Sequence, residues 1–437
     1  MSTSKLKERV VRHSPSTGPG SPDVWGIYEP DTGSIQYICA DPATKRAALI
    51  DVVWNLDPRN YRFSTESMEQ VLDLVRDNGL SVEWVLDTHP HADHLMASAL
   101  LKDRTGAPAA IGARVHDIAR LWAGLYNLPG AFDPARDFDR LFEDGETFRI
   151  GDLEARVMLS PGHTLGSVTY VCGDAGFVHD TLMQPDVGTS RADFPGGDTG
   201  QLWESIQAIL ALPENTRLFV GHDYGTEGRD EPAWEATVAQ HRAGNKHVKD
   251  GTRREDWTRL RDERDATLPL PDRILAALQV NLRGGRLPAP EADGHSYLKI
   301  PVDRFPAPQK KARTMSEMVA DAQSRVATIS PERAARDDGS AALVLDVREP
   351  GELETHGRVP DALHVPRGLV ESRADATAKT AEARLTDLRD RGCVHVLCGS
   401  GARAALAADT LRAMGYKATV IEGGFEAWKA QGLPVED

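Results

Sequence analysis

Thr88-His89-Pro90-His91-Ala92-Asp93-His94 puts three imidazoles and one carboxylate into seven consecutive residues. A lone histidine is commonly a satisfied core side chain, but packing does not call for such a cluster. Neutral imidazole and carboxylate together are standard donors for Zn and Fe(II). One loop cannot enclose a metal, so partners must come from elsewhere in the chain. Three candidates each end a strand-like segment downstream. They are His163 in Ser160-Pro161-Gly162-His163-Thr164, Asp180 after Gly176-Phe177-Val178-His179, and His222 in Val220-Gly221-His222-Asp223-Tyr224.

Outward from that stretch, Val82–Asp87 reads as a strand running into the histidines, and Leu95–Lys102 as a helix leaving them. The cluster therefore sits on a strand-to-helix loop, where catalytic groups are commonly held. Upstream, Ile35, Tyr37 and Cys39 alternate with Ser34, Gln36 and Ile38, which is strand periodicity. A turn and a second strand, Ala47–Val53, follow. Val71, Leu72, Leu74 and Val75 share one face of a helix over Ser67–Asn78, stopped by Gly79. Residues 232–278 read as largely helical and highly charged. Beyond the prolines at 301, 306 and 308, a second α/β pattern begins: strands Ala342–Asp346 and Val394–Cys398, then helix Ala402–Met414.

The 437 residues suit two or three domains, and 40% apolar with 27% charged residues is a globular balance. A net charge of −15 argues against a nucleic-acid partner and against an anionic membrane surface. No apolar run approaches the roughly 18 to 20 residues of a transmembrane helix. The polar segment 1–22 is expected to be a disordered arm and not a signal peptide. Four cysteines without CxxC spacing indicate a reducing, cytoplasmic setting.

The order HxHxDH, GHT, Asp, GHD resembles the metallo-β-lactamase superfamily over about residues 20 to 305. That resemblance implies an αββα sandwich, with Asp51 as a buried supporting carboxylate. Its full hydrolase set is His89, His91, Asp93, His94, His163, Asp180 and His222, which holds two zincs in glyoxalase II. Other stretches look more like persulfide dioxygenases: Glu83–His89, Ser190-Arg191-Ala192-Asp193-Phe194, Asp193–Asp198, His222-Asp223-Tyr224 and Gln279–Gly285. In such enzymes one Fe(II) is held by two His and one Asp, which map to His89, His163 and Asp180. This is a facial triad with open positions. His91, Asp93, His94 and His222 then orient ligands, or form the second site of the zinc alternative. The family usually has Gly before the Asp ligand. Here His179 stands there, and its side chain is expected to point outward. Arg191, Tyr224 and Arg283 are expected to line a pocket for the thiol substrate, since Arg suits the carboxylates of glutathione.

Near the C-terminus, Cys398 precedes Gly399-Ser400-Gly401-Ala402-Arg403 and an apolar-periodic helix. A thiol there faces backbone N–H groups and the positive helix end, which stabilise a thiolate or persulfide. The region 315–437 resembles rhodanese domains, with Leu345–Pro350, Val359–Ala362 and Glu422–Trp428 in support. The resemblance implies Cys398 as sulfur carrier, Gly399 to Ala402 as its loop, and Arg403 as an attractor of thiosulfate or sulfite. Cys-x4-Arg is the short loop of sulfurtransferases, not the longer one of rhodanese-fold phosphatases.

The expected organisation is thus an arm (1–22), a metal domain (23–300), a linker (301–314) and a rhodanese domain (315–437). The two resemblances together imply oxidation of glutathione persulfide, or a similar persulfide, by O₂ to sulfite, coupled to sulfane-sulfur transfer. Thiosulfate, sulfite and thiols are the implied sulfur partners. The alternative is a dizinc thioesterase with a rhodanese or sulfur-sensing module. Oligomeric state and direction of transfer stay open.

Overall fold

The computed structural model describes residues 9–226, 228–305, 314–337 and 342–436. Pro306 and Pro308 of the expected linker lie outside the described residues. The chain divides into two units, Met1–Lys310 and Lys311–Asp437.

The first unit is built on two sheets. One has seven strands in the order Val11–Ser14, Asp23–Glu29, Ser34–Ala40, Arg46–Ile50, Ser81–Leu86, Ala109–Gly112 and Arg140–Phe142. Its first four strands pair antiparallel, and the remainder pair parallel. The other has six strands: Thr147–Ile150, Leu153–Leu159, Val168–Cys172, Ala175–His179, Arg217–Val220 and Glu235–Thr237. Here only Ala175–His179 and Arg217–Val220 run parallel. Both are buried throughout, as expected of strands covered on both faces.

Strand alternation sorts the core. Ile35, Tyr37 and Cys39 face the six-stranded sheet and join Val157, Tyr170, Phe177 and Phe219. Ile38 and Ala40 point the other way, into a cluster with Met68, Val71 and Val75 of helix Glu66–Asp77. Helix Ile274–Asn281 adds Ala276, Ala277 and Val280 to that second cluster. Helix Thr199–Leu210 adds Leu202, Ile206 and Ile209 to the first.

Two local expectations are corrected. The helix over Leu95–Lys102 begins only at Ser98, because Leu95 and Met96 pair antiparallel with Trp54 and Val53. The arm is not structureless from residue 9 onward: Val11–Ser14 pairs with Asp23–Glu29 as an edge strand. Arg217 holds this segment down. Its guanidinium donates to Ser14 Oγ (2.7 Å), Ser21 Oγ (3.1 Å), Pro22 O (3.0 Å) and Asp174 Oδ1 (2.9 Å).

The second unit is a five-stranded, all-parallel sheet in the order Thr328–Ile329, Lys417–Ile421, Cys393–Leu397, Ala342–Asp346, Leu363–His364. Helix Ala402–Ala413 packs its Ala404, Ala405, Ala408 and Leu411 into a core with Leu345, Val394 and Val396. No helix among the described residues is long and apolar enough to cross a membrane.

Arg217→Ala is expected to lower unfolding stability by about 2 kcal/mol or more, since it strands the partly buried Asp174 carboxylate and several acceptors. Urea unfolding measures this. Limited proteolysis should show earlier cleavage within residues 9–22, and an unchanged cleavage pattern would remove Arg217 from that role.

Candidate functional site

All the metal-type residues gather at the carboxyl ends of strands, where open α/β sheets place ligands. The loop Thr88–His94 follows strand Ser81–Leu86. His163 follows Leu153–Leu159, Asp180 follows Ala175–His179, and His222 follows Arg217–Val220.

The loop is clamped from two sides. Below it, Asp51 Oδ1 accepts from Thr88 N (2.8 Å) and His91 Nε2 (2.9 Å), and Oδ2 accepts from Thr88 Oγ1 (3.0 Å). Burial pushes the Asp51 carboxyl up to about 7, against the pull of these donors. From the other side Asn281 Nδ2 donates to His91 O and His94 O, both at 2.8 Å, while its Oδ1 accepts from Met96 N at 2.8 Å. Asn281 escaped sequence reading as a clamp, because nothing local tells a buried helix-end Asn from a solvated one.

His89, His163 and Asp180 bring donor atoms within 4.8 Å of one another. His89 Nε2 lies 3.8 Å and His163 Nε2 3.5 Å from Asp180 Oδ2. His163 Nδ1 donates to Arg191 O at 2.8 Å, so its Nε2 keeps a lone pair. His91 donates through Nε2 to Asp51, so its buried Nδ1 keeps one too, with no hydrogen-bond partner; His94 Nε2 is equally buried and unpartnered. Buried, unpaired nitrogens are costly unless a cation meets them. Burial, reinforced by neighbouring imidazoles, depresses His89 and His91 well below the usual range, which keeps them neutral as ligands must be. Burial alone would raise Asp180, but His222 and then His163 and His89 hold it well below its usual value. These residues fit a bound metal ion.

His222 is placed differently. Its Nδ1 lies 2.5 Å from Asp180 Oδ1 and its Nε2 2.8 Å from Asp93 Oδ2. Burial would lower it, but the two carboxylates raise it well above the ordinary histidine value. Ser34 Oγ sits among Asp93 Oδ2 (3.0 Å), His94 Nδ1 (3.1 Å) and His222 Nε2 (3.1 Å). Ser34 was legible in sequence only as the start of a strand.

The expectation for His179 is overturned. Its ring is buried and points inward, 4.6 Å from the rings of His89 and His91. Its Nε2 lies 3.4 Å from Asp51 Oδ2 and its Nδ1 3.4 Å from Asp180 Oδ1. The cause is a left-handed backbone at φ 43°, a conformation that favours glycine and that turns the side chain back into the cluster. Room for the ring exists because residue 221 is glycine: a Cβ there would lie 2.6 Å from His179 Nε2.

A cavity of about 280 Å³ opens beside His163, Asp180 and His222. Arg191 and Tyr224 line it. The Arg191 guanidinium, however, is already bidentate to Asp193 (2.6 and 2.7 Å) and donates to Pro269 O at 2.8 Å. Tyr224 stacks on His222, with ring centroids 5.5 Å apart. Arg283 is not among the lining residues, contrary to expectation. It donates to Gln279 O and lies over Phe132 at 4.7 Å, because its helix end faces that ring. Arg264 does line the cavity, and its side chain has no carboxylate partner among the described residues. In the sequence it was hidden within a run of charged residues.

In the second unit, Cys398 follows strand Cys393–Leu397 and is buried. Its Sγ accepts from Gly401 N at 3.2 Å and Ala404 N at 3.4 Å, at the start of helix Ala402–Ala413. Phe425 N donates to Cys398 O at 2.7 Å. A Cβ at Gly424 would lie 2.3 Å from that oxygen, so only glycine allows this approach. Asp346 and Arg348 form a buried ion pair (2.6 Å) with Arg348 over the Phe425 ring at 3.7 Å, a structural arrangement. Arg403 is not a free anion attractor as expected. It is bidentate to Glu352, at 2.5 and 2.7 Å.

The family model for the metallo-beta-lactamase superfamily matches residues 37–222, and that for the rhodanese-like domain matches residues 331–431. A beta-lactamase hydrolase-like protein of Agrobacterium fabrum is 55% identical over 282 residues, 64% of this chain and 65% of that protein. The chain thus spans 65% of the length of that relative. A probable metallo-hydrolase of Burkholderia pseudomallei is 43% identical over 291 residues, 64% of this chain and 99% of that protein. A mitochondrial persulfide dioxygenase of Bos taurus is 28% identical over 289 residues, 65% of this chain and 98% of that protein.

Asn281→Ala removes the amide that donates to both loop carbonyls, His91 O and His94 O. It is expected to weaken metal affinity about 10- to 100-fold while the protein stays folded. Metal competition with a chromogenic chelator, alongside circular dichroism, checks this. Wild-type affinity in the variant would show that Asp51 suffices to hold the loop.

Proposed function

Because this chain belongs to the metallo-beta-lactamase superfamily and carries a rhodanese-like domain, we propose that it is a persulfide dioxygenase fused to a sulfurtransferase. In this reading an Fe(II) site of His89, His163 and Asp180 serves oxidation of a thiol persulfide by O₂ to sulfite and free thiol. Cys398 carries sulfane sulfur between persulfide or thiosulfate and sulfite or a thiol. The observation that carries the reading is the convergence of two imidazoles on one carboxylate, with His163 Nδ1 turned to Arg191 O so that Nε2 is left facing Asp180. His89, His163 and Asp180 would hold the metal, and a two-His-one-carboxylate set would suit an Fe(II) that reacts with O₂ and a sulfur substrate.

When bound, the metal supplies the redox chemistry. The chain's own residues do the rest. Asp51 orients His91, and Arg191 O orients His163. His222 has both ring nitrogens engaged by Asp93 and Asp180, which favours one metal over two. The cavity offers Met183, Phe194 and Leu268 to the aliphatic part of a thiol and Arg264 to a carboxylate. Similarity to the persulfide dioxygenase adds support.

A second reading, a dizinc thioesterase with a metal-bound hydroxide, is favoured by the unpartnered His94 Nε2 and by the hydrolase names of the relatives at 43% and 55% identity. Anaerobic purification with metal analysis separates the two. We expect about one iron per chain, lost in His89→Ala, His163→Ala or Asp180→Ala, and O₂ uptake with glutathione persulfide. Two zincs and thioester hydrolysis without O₂ uptake would establish the second reading instead. Asp93→Ala and His222→Ala should keep most of the iron and lose about 10- to 100-fold in turnover. Complete metal loss in either would make it a ligand.

The two activities are expected to be separable. Each unit has its own core, and Cys398→Ser puts a hydroxyl where no persulfide can form. That variant should keep O₂ consumption with glutathione persulfide and lose sulfurtransfer. An oxygen-electrode trace in which it loses both would show that the sites depend on each other.

A further inference from the structure

The loop around Cys398 is poor in positive charge. Between Cys398 and Ala404 the sole ionisable side chain besides the thiol is Arg403; Gly399, Ser400, Gly401 and Ala402 carry none. Arg403 does not stand free. Both of its terminal nitrogens are held by the Glu352 carboxylate, at 2.5 and 2.7 Å. Glu352 is anchored in turn: its Oε2 also accepts from Glu349 N at 2.9 Å, in the capping box of helix Pro350–His356. The pair stands beside the loop. A Cβ built on Gly399 would lie 3.7 Å from Arg403 Nη2 and 3.9 Å from Glu352 Oε1. A second carboxylate, that of Glu349, caps the same helix and acts on the Arg403 guanidinium as well.

A dianion approaching Cys398 therefore meets a neutralised guanidinium among carboxylates, and gains little by entering. A thiol persulfide presents its reacting sulfur at the end of an aliphatic arm, with its carboxylates several bonds away, and brings at most one negative charge into the loop where thiosulfate brings two. We infer that Glu352, by occupying Arg403, makes the Cys398 loop select thiol persulfides over thiosulfate as sulfur donors. The inference rests on the reading of Cys398 as a sulfane-sulfur carrier and narrows it to one donor class. Either donor gives the same product. With thiosulfate, the Cys398 thiolate attacks the sulfane sulfur, the S–S bond of the donor breaks, and sulfite leaves with the electron pair. With a thiol persulfide, the same attack forms the Cys398 persulfide and expels the thiolate. Only the leaving group and the charge brought into the loop differ.

The carboxylate also has a structural use in the capping box, so the test must separate charge from capping. Glu352→Gln does so, since the amide oxygen still accepts from Glu349 N while the negative charge is gone. The readout is the rate at which the full chain acquires one sulfur atom on Cys398, followed by intact mass. Thiosulfate and glutathione persulfide are offered separately, at low and high salt. Wild type is expected to load faster from the persulfide. E352Q should accelerate loading from thiosulfate about 10-fold, as freed positive charge steers an anion. Its rate with glutathione persulfide should change less than about twofold. The gain should shrink at high salt, where exposed charges are screened. In E352Q/R403A the gain should disappear.

Three outcomes overturn the inference. One is a thiosulfate rate in E352Q within twofold of wild type. Another is an equal gain with both donors. The third is a gain that survives in E352Q/R403A. If no variant acquires sulfur from either donor, the carrier reading itself falls and takes this inference with it. Cys398→Ser, which should never gain the mass, confirms where the sulfur sits.

Discussion

The buried carboxylate of Asp51 is the constraint on which the metal-type cluster depends. It receives Thr88 N, Thr88 Oγ1 and His91 Nε2, and so fixes the first half of the histidine loop and the tautomer of His91 together. A carboxylate without water is expensive, and burial pushes this one to about 7. It also sits on a left-handed backbone at φ 54°. The chain accepts both costs because the alternative is worse. Without Asp51 the Thr88 N–H would be buried unpaired, and His91 could turn its lone pair away from its neighbours. Asn281 performs the complementary task on the loop's carbonyls. Between them the loop has little freedom left, and its imidazoles are presented without spending binding energy on order.

Both units follow one plan. Strands deliver the chemistry-bearing residues at their carboxyl ends, and a glycine on a neighbouring segment permits contact that any Cβ would forbid. In the first unit Gly221 makes room for His179. In the second, Gly424 lets the terminal segment close onto the Cys398 carbonyl. Cys398 is then buried with its sulfur facing two backbone N–H groups, a polarity suited to a sulfur anion.

Charge is managed by pairing. With a net charge of −15, carboxylates outnumber cations, and arginines near the sites are mostly taken. Arg191 is held by Asp193, Arg403 by Glu352, and Arg229 by Asp223 and Asp186. Arg264 stands out at the cavity as a cation without such a partner among the described residues. Recognition in such a protein depends less on where arginines occur than on which of them a carboxylate has left uncovered.

The sequence by itself determined the fold class, the existence of two units and the identity of the clustered donors. These are local properties: period-two alternation in Ser34–Ala40, loop histidines two and three positions apart, a thiol just before a helix. The tertiary structure alone decided the rest. His179 turns inward because its backbone is left-handed and residue 221 has no side chain, and neither fact is visible in the dipeptide His179-Asp180. Ser34 and Asn281 reach the site from residues 60 and 187 positions away from His94, so no spacing rule finds them. Arg283 leaves the cavity and Arg403 loses its free charge because Phe132 and Glu352 lie closer than any ligand. Val11–Ser14 becomes a strand because Asp23–Glu29 offers it an edge. Donor chemistry is carried by each residue type, whereas partnership depends on which distant segment packs opposite, and that is fixed only when the chain closes on itself.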